Sequence, residues 1–179
     1  MLAKGLQLTL AIIKPHVVCQ PVALQDIRRM ILAADFKVVR SERKRLSLPD
    51  AERFYSEHEG KFFYNRLTTF MTSGPIDLYI LARRDGIKEW RKLMGPTKVF
   101  RTQFFEPETI RGKFGLSDTR NATHGSDSDE SAKKEIGLFF PRFDFEGWHR
   151  DEEIHYRDEA NLILDEEEFV HTIADNNNA

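Results

Sequence analysis

The chain has 179 residues, 40% of them apolar and fourteen of them Phe, which is the size and composition of one core-bearing domain with an appendage. Its one cysteine, Cys19, excludes an internal disulfide framework and a Cys-based zinc site, and suits a reducing intracellular compartment. The net charge of −2 hides an asymmetry: residues 1–140 carry 24 Lys/Arg and 17 Asp/Glu, a net of +7, whereas residues 141–179 carry 3 Arg and 12 Asp/Glu, a net of −9. A basic body suits an anionic ligand such as a nucleotide; nucleic acid is the weaker expectation, because it rests on charge alone. No apolar run approaches the ~20 residues of a membrane span, so no membrane is expected as a partner. Residues 1–5 are too short for a secretory signal or a clear transit peptide.

In chain order, residues 8–13 read as a short buried strand ended by Lys14-Pro15. Pro21 suits a first helical turn, and Leu24, Ile27 and Ile31 follow at helical spacing. Residues 36–48 read as a strand whose polar middle, residues 41–45, belongs at an edge or on a wet face. A short helix opens at Pro49-Asp50 and runs through Tyr55, and Gly60 breaks the pattern. Phe63, Leu67, Phe70 and Met71 mark a helix with one apolar face. Ser73-Gly74-Pro75 is a turn, residues 76–82 are the cleanest strand, and Ile87, Trp90, Leu93 and Met94 mark another helix. Residues 95–113 read as an extended loop with one short helix, residues 116–123 as a last short strand, and residues 126–139 as a helix with acidic residues in its first turn. From Pro141 the chain is acidic yet carries Phe143, Phe145, Trp148, Tyr156 and Phe169, so part of it should pack on the body or on a protein partner. Residues 175–179 are expected to be disordered. Interspersed strands and helices with mostly short connections give a single α+β domain over residues 1–140, with helices packed on a sheet, and a C-terminal extension over residues 141–179.

Chemistry concentrates in Asn121-Ala122-Thr123-His124-Gly125-Ser126-Asp127. A neutral imidazole has one free lone pair and can attack phosphorus if its other nitrogen is held by an acceptor, which splits one hard transfer into two easier ones. Cationic side chains and Mg²⁺ then neutralise the moving phosphoryl group. Taken alone, His124 reads equally as a nucleophile and as a turn or capping histidine. Lys14 at a strand end and Arg111 in the long loop favour the first reading.

These residues, with Phe54-Tyr55, Phe62-Phe63 and the run from Asn121 to Phe140, resemble the nucleoside diphosphate kinase family from about residue 8 to residue 140. The loop over residues 99–107 looks longer than in the common hexameric members; with the C-terminal extension it resembles the divergent type-6 branch. Thr119 stands where the family usually has glycine. The resemblance implies a ferredoxin-like four-stranded antiparallel sheet covered by helices. It also implies ping-pong transfer of the γ-phosphate of a nucleoside triphosphate to a nucleoside diphosphate through phosphorylated His124, which would maintain the non-ATP triphosphates.

Matched residue by residue, the family pattern makes Lys14 a contact to the moving phosphate and ribose, and Arg91, Thr97 and Arg111 contacts to phosphates. Asn121 matches a partner of the sugar 3′ hydroxyl, and Phe63 an aromatic stacked on the base, although Phe63 reads as well as a core residue beside Leu67. Tyr55, Ser126 and Glu135 match positions behind the nucleophile. Glu135 is the expected acceptor for the imidazole, and Ser126 either assists the histidine or caps the helix. Mg²⁺ is expected as cofactor, bound through nucleotide phosphates with no protein ligands. His16, His58, His149, His155 and His171 match nothing catalytic. An intracellular location, mitochondrial and/or cytoplasmic, is expected, the mitochondrial part from the branch resemblance. The competing reading is a nucleotide-binding regulatory or partner protein with weak or partner-dependent turnover.

Overall fold

The computed structural model describes residues 5–159 and 161–174. Four strands, β1 (Gln7–Ile13), β2 (Lys37–Lys44), β3 (Ile76–Arg83) and β4 (Thr123–Gly125), form an antiparallel sheet in the order β2-β3-β1-β4. The two central strands are the two continuous apolar runs, and they are so because the sheet is covered on both faces. Leu8, Leu10 and Ile12 of β1 join Leu78 and Ile80 of β3 in one core, while Ala11 and Ile13 join Tyr79 and Leu81 in the other. Side chains two apart share a face, so each strand feeds both cores in alternation. The polar half of β2 lies at the sheet edge, as its composition requires.

Ten α-helices connect and cover the strands among the described residues, with a 3-10 turn over Ser56–His58 and a π-helical turn in the C-terminal extension. α1 (Pro15–Val18) and α2 (Pro21–Ala33) both begin with proline, and α2 buries Leu24, Ile27 and Ile31. α3 (Leu48–Phe54) starts with a reciprocal capping box between Ser47 and Asp50. α4 (Tyr64–Met71), α5 (Gly86–Met94) and α8 (Asp129–Phe139) follow the expected periodicities. Before residue 140 several expectations differ from the structure: the strand expected over residues 36–48 ends at Lys44, and Leu48 already opens α3. The stretch 95–113 holds two helices, α6 (Val99–Phe105) and α7 (Ile110–Phe114), not one. Residues 116–123 are mostly turn, and the last sheet strand is β4, shifted towards the C-terminus. The cap of α8 is Ser128, whose hydroxyl accepts from Ser131 N at 3.2 Å; Ser126 is therefore not the capping residue.

The C-terminal extension packs on the body. It forms α9 (Phe145–Gly147), a π-helical turn (Trp148–Glu152), α10 (Glu153–Asp158) and a hairpin of β5 (Leu162–Asp165) and β6 (Val170–Ile173). Trp148 and Tyr156 enter one core, and Phe169 at the hairpin turn enters the other. Val38 N of the edge strand donates to His171 Nδ1 at 2.9 Å. The expected disorder of residues 175–179 lies outside the described residues. Among the described residues no helix is long and apolar enough to cross a membrane.

Candidate active site

Pairing of β1 with β4 sets the site. Ile12 lies opposite His124, and just beyond it Lys14 N donates to Ala122 O at 2.9 Å. Ala122 has φ of 72°, a left-handed conformation that costs an alanine roughly 1 kcal/mol and turns the chain sharply between Asn121 and β4. The strand end of β1, residues 121–122 and His124 are thereby brought to one wall. His124 sits in a strand rather than in the turn suggested by its flanking residues.

The imidazole is held from behind. His124 Nε2 lies 3.1 and 3.2 Å from the two Glu135 carboxylate oxygens. Ser126 Oγ donates to Glu135 Oε2 at 2.6 Å and accepts from Leu10 N at 3.2 Å. This chain of bonds runs from the β1 backbone to the ring and assigns the proton to Nε2, since a carboxylate accepts only. Nδ1 is left with the lone pair and has no hydrogen bond among the described residues. Trp90 Nε1 donates to His124 O at 3.2 Å, and a Cβ on Gly125 would overlap the Trp90 indole, so glycine is required there by close approach.

In front of His124 opens a cavity of about 1320 Å³. Of the residues singled out from sequence, Lys14, Tyr55, Phe63, Thr97, Arg111, Asn121 and His124 line it. Ser126 and Glu135 lie behind the ring. Arg91 is exposed in the last turn of α5 and is not on the cavity wall, although its charge reaches Arg111. Phe63 is half-buried at the N-cap of α4 and faces the cavity. His58, which matches nothing catalytic in the sequence, also lines the cavity, stacked on Tyr55 at 6.2 Å and edge-on to Phe63 at 5.4 Å. Its spacing, three residues after Tyr55 in a helical stretch, is the signal that would have found it.

Electrostatically the cavity waits for negative charge. Lys14 is 4% exposed; burial, and then the Arg111 charge, push its ammonium down to about 7. Its Nζ donates to Thr119 O at 3.3 Å. Arg111 is pushed down to about 10 by burial and by Arg91. Its guanidinium donates to Asn121 O, Gly95 O and Thr123 O at 3.3, 2.7 and 3.0 Å, so it braces the loops with three of five N–H groups and keeps two for a ligand. Asn121 Nδ2 donates to Asp118 O, while its Oδ1 is buried without a partner. The Tyr55 hydroxyl is likewise buried and unpartnered, and burial followed by the Glu135 charge raises its pKa. A cavity that holds two depressed cations and three unsatisfied polar groups, His58 Nδ1 being the third, is built for a polar anion. Among the described residues no group of three or more His, Cys, Asp or Glu side chains could hold a metal ion.

The family model described as nucleoside diphosphate kinase matches residues 7–145. The chain is 52% identical over 170 residues to nucleoside diphosphate kinase 6 of Danio rerio, covering 95% of this chain and 96% of that one. It is 53% identical over 150 residues to nucleoside diphosphate kinase 6 of Homo sapiens, covering 84% and 81%. Among solved structures, it resembles the Aquifex aeolicus nucleoside diphosphate kinase with a TM-score of 0.71 at 33% identity, over 76% of this chain and 96% of that one. It resembles the Halobacterium salinarum enzyme in complex with CDP with a TM-score of 0.70 at 31% identity, over 79% and 95%.

Proposed function

The chain belongs to the nucleoside diphosphate kinase family, and on that premise we propose that it moves the γ-phosphate of a nucleoside triphosphate to a nucleoside diphosphate through His124. One observation carries the proposal. The His124 ring is fixed at Nε2 by Glu135, which leaves the Nδ1 lone pair beside a cavity walled by Lys14 and Arg111.

In the first half-reaction Nδ1 forms a bond to the γ-phosphorus, and the bond from phosphorus to the β,γ-bridging oxygen breaks. The electron pair leaves on the β-phosphate, and a nucleoside diphosphate departs. The Nε2 proton stays between the ring and Glu135, whose charge offsets the positive charge gained by the ring. In the second half-reaction a terminal oxygen of a different nucleoside diphosphate attacks the same phosphorus, and the electron pair returns to Nδ1. Lys14 and the two uncommitted Arg111 N–H groups neutralise the transferring group. Asn121 Oδ1 accepts from a sugar hydroxyl, and Phe63 stacks on the base, which tolerates any base. Arg91, outside the wall, acts by its field and reaches the phosphates only if its side chain swings in. Mg²⁺ enters as part of the nucleotide substrate and screens the phosphate charges. An intracellular location, mitochondrial and/or cytoplasmic, belongs to the same proposal; fractionation of cells expressing the full chain tests it.

Incubation with γ-labelled ATP and Mg²⁺ should give an acid-labile, alkali-stable phosphoprotein that any nucleoside diphosphate discharges. His124→Asn should abolish the label, and label that survives the substitution refutes the mechanism. A second reading, a nucleotide-binding partner protein with weak turnover, draws support from Phe100, Phe104 and Phe105, all exposed on α6, the helix that follows Thr97 and Lys98 of the cavity lining. It predicts nucleotide binding with slow or absent labelling of the isolated chain.

A further inference from the structure

Glu135 holds one atom of the His124 ring, and one tether does not fix the plane of an imidazole. Terminal torsions to flat rings are soft and roughly two-fold, so a ring held only at Nε2 can still tilt. The second constraint comes from Phe54, the last residue of α3. Its ring meets the imidazole edge-to-face, with centroids 5.0 Å apart and planes at 81°. Phe54 is itself clamped, by Phe139 at 5.0 Å and Tyr55 at 4.7 Å. Glu135 and Phe139 lie four residues apart on α8 and so point from one helix face. One helix therefore grips the histidine twice: through Glu135 at the ring nitrogen, and through Phe139 and Phe54 at the ring plane.

We propose that Phe54 is a positioning residue that sets the plane of the His124 imidazole and so aims Nδ1 into the cavity. Its consequence for phosphoryl transfer rests on the function proposed above; the ring orientation is a property of the ligand-free protein and stands apart from it. Phe54 is not among the residues that line the cavity. It should change the rate of the chemical step and leave nucleotide affinity alone. An edge-to-face pair is worth a small factor, so Phe54→Leu, which keeps apolar bulk and loses the flat ring, should slow phosphoenzyme formation by roughly 3- to 10-fold.

The test uses the full chain. Single-turnover labelling of wild type, Phe54→Leu and Phe54→Tyr at saturating ATP is set beside nucleotide affinity, thermal unfolding, and ¹⁵N side-chain NMR of His124 without ligand. The proposal expects slower labelling with unchanged affinity in Phe54→Leu, recovery in Phe54→Tyr, and His124 signals that pass from one Nε2–H tautomer to an exchanging mixture in Phe54→Leu only. Wild-type labelling and a single tautomer in Phe54→Leu overturn it. So does a loss of rate and affinity together that follows thermal stability in both variants, because that is a packing effect. If the wild-type chain takes no label, the kinase reading fails, and the NMR comparison still decides whether Phe54 orients the ring.

Discussion

Two histidines on short strands, one in the body and one in the C-terminal extension, are fixed in opposite senses. His124 on β4 has Nε2 against a carboxylate and Nδ1 beside the cavity. His171 on β6 spends Nδ1 as an acceptor for the Val38 amide, while Tyr156 donates its hydroxyl to the His171 carbonyl at 3.1 Å. The first arrangement keeps a lone pair available; the second consumes it. The chemistry of an imidazole thus follows from which nitrogen the fold commits, and a sequence shows only that a histidine is present.

The difference can be broken from either side. The largest effect is expected at Glu135, which holds the His124 ring at Nε2. A hydrogen bond to a charged group is worth about 1.5–3 kcal/mol, so Glu135→Ala should slow phosphoenzyme formation by about 10- to 100-fold in rapid-quench labelling. Glu135→Gln retains an acceptor and should lose less.

Lys14 comes next. Its folded pKa of about 7 lies far below the ordinary lysine value. A bound polyphosphate favours the ammonium and raises that pKa, so nucleotide binding at pH 8 should draw a proton from solution. Calorimetry in buffers of different ionisation enthalpy should show uptake approaching one proton, absent in Lys14→Met, with affinity falling as pH rises above 7.

His171 should matter least to phosphoryl transfer and most to the hairpin. Burial, then the nearby Lys37, lowers its folded pKa below the unfolded value of about 6.5. Below 6.5 the unfolded segment therefore binds more protons than the docked one. Docking stability is present above that pH and is lost as pH falls through the folded value. The protection factor of the Val38 amide, its exchange corrected for the intrinsic rate at each pH, should fall in mild acid, and His171→Gln, which keeps an acceptor, should flatten the response. Phe169→Ala removes a ring that is 2% exposed and should cost about 3 kcal/mol of hairpin docking. Labelling of His124 should be unchanged in both, as read by the same assay at pH 7.5.

Much of the fold was legible because its central strands are continuous apolar runs and its longer helices bury regular faces. The misses share a physical cause. α6 turns Phe100, Phe104 and Phe105 outward, so apolar periodicity there does not mark a buried face. β4 has three residues, and its pairing depends on a bend at Ala122 that no side chain announces. The β5–β6 hairpin docks on an edge strand more than 100 residues earlier in the chain, a contact with no local signature. At the site, residue types were readable and their placement was not. Sequence could name His124, Glu135 and Ser126, but not the bonded order from Leu10 through Ser126 and Glu135 to Nε2, nor that Arg111 spends three donors on backbone, nor that Arg91 stands off the wall.

The central claim is that Nδ1 of His124 carries the phosphoryl group. Phosphorylating uniformly ¹⁵N-labelled protein with Mg-ATP and reading the ¹⁵N–³¹P coupling on the imidazole tests it most directly. The account predicts one phosphorylated ring nitrogen, His124 Nδ1, with the proton retained on Nε2. Phosphate on Nε2, or on any other side chain, would contradict it.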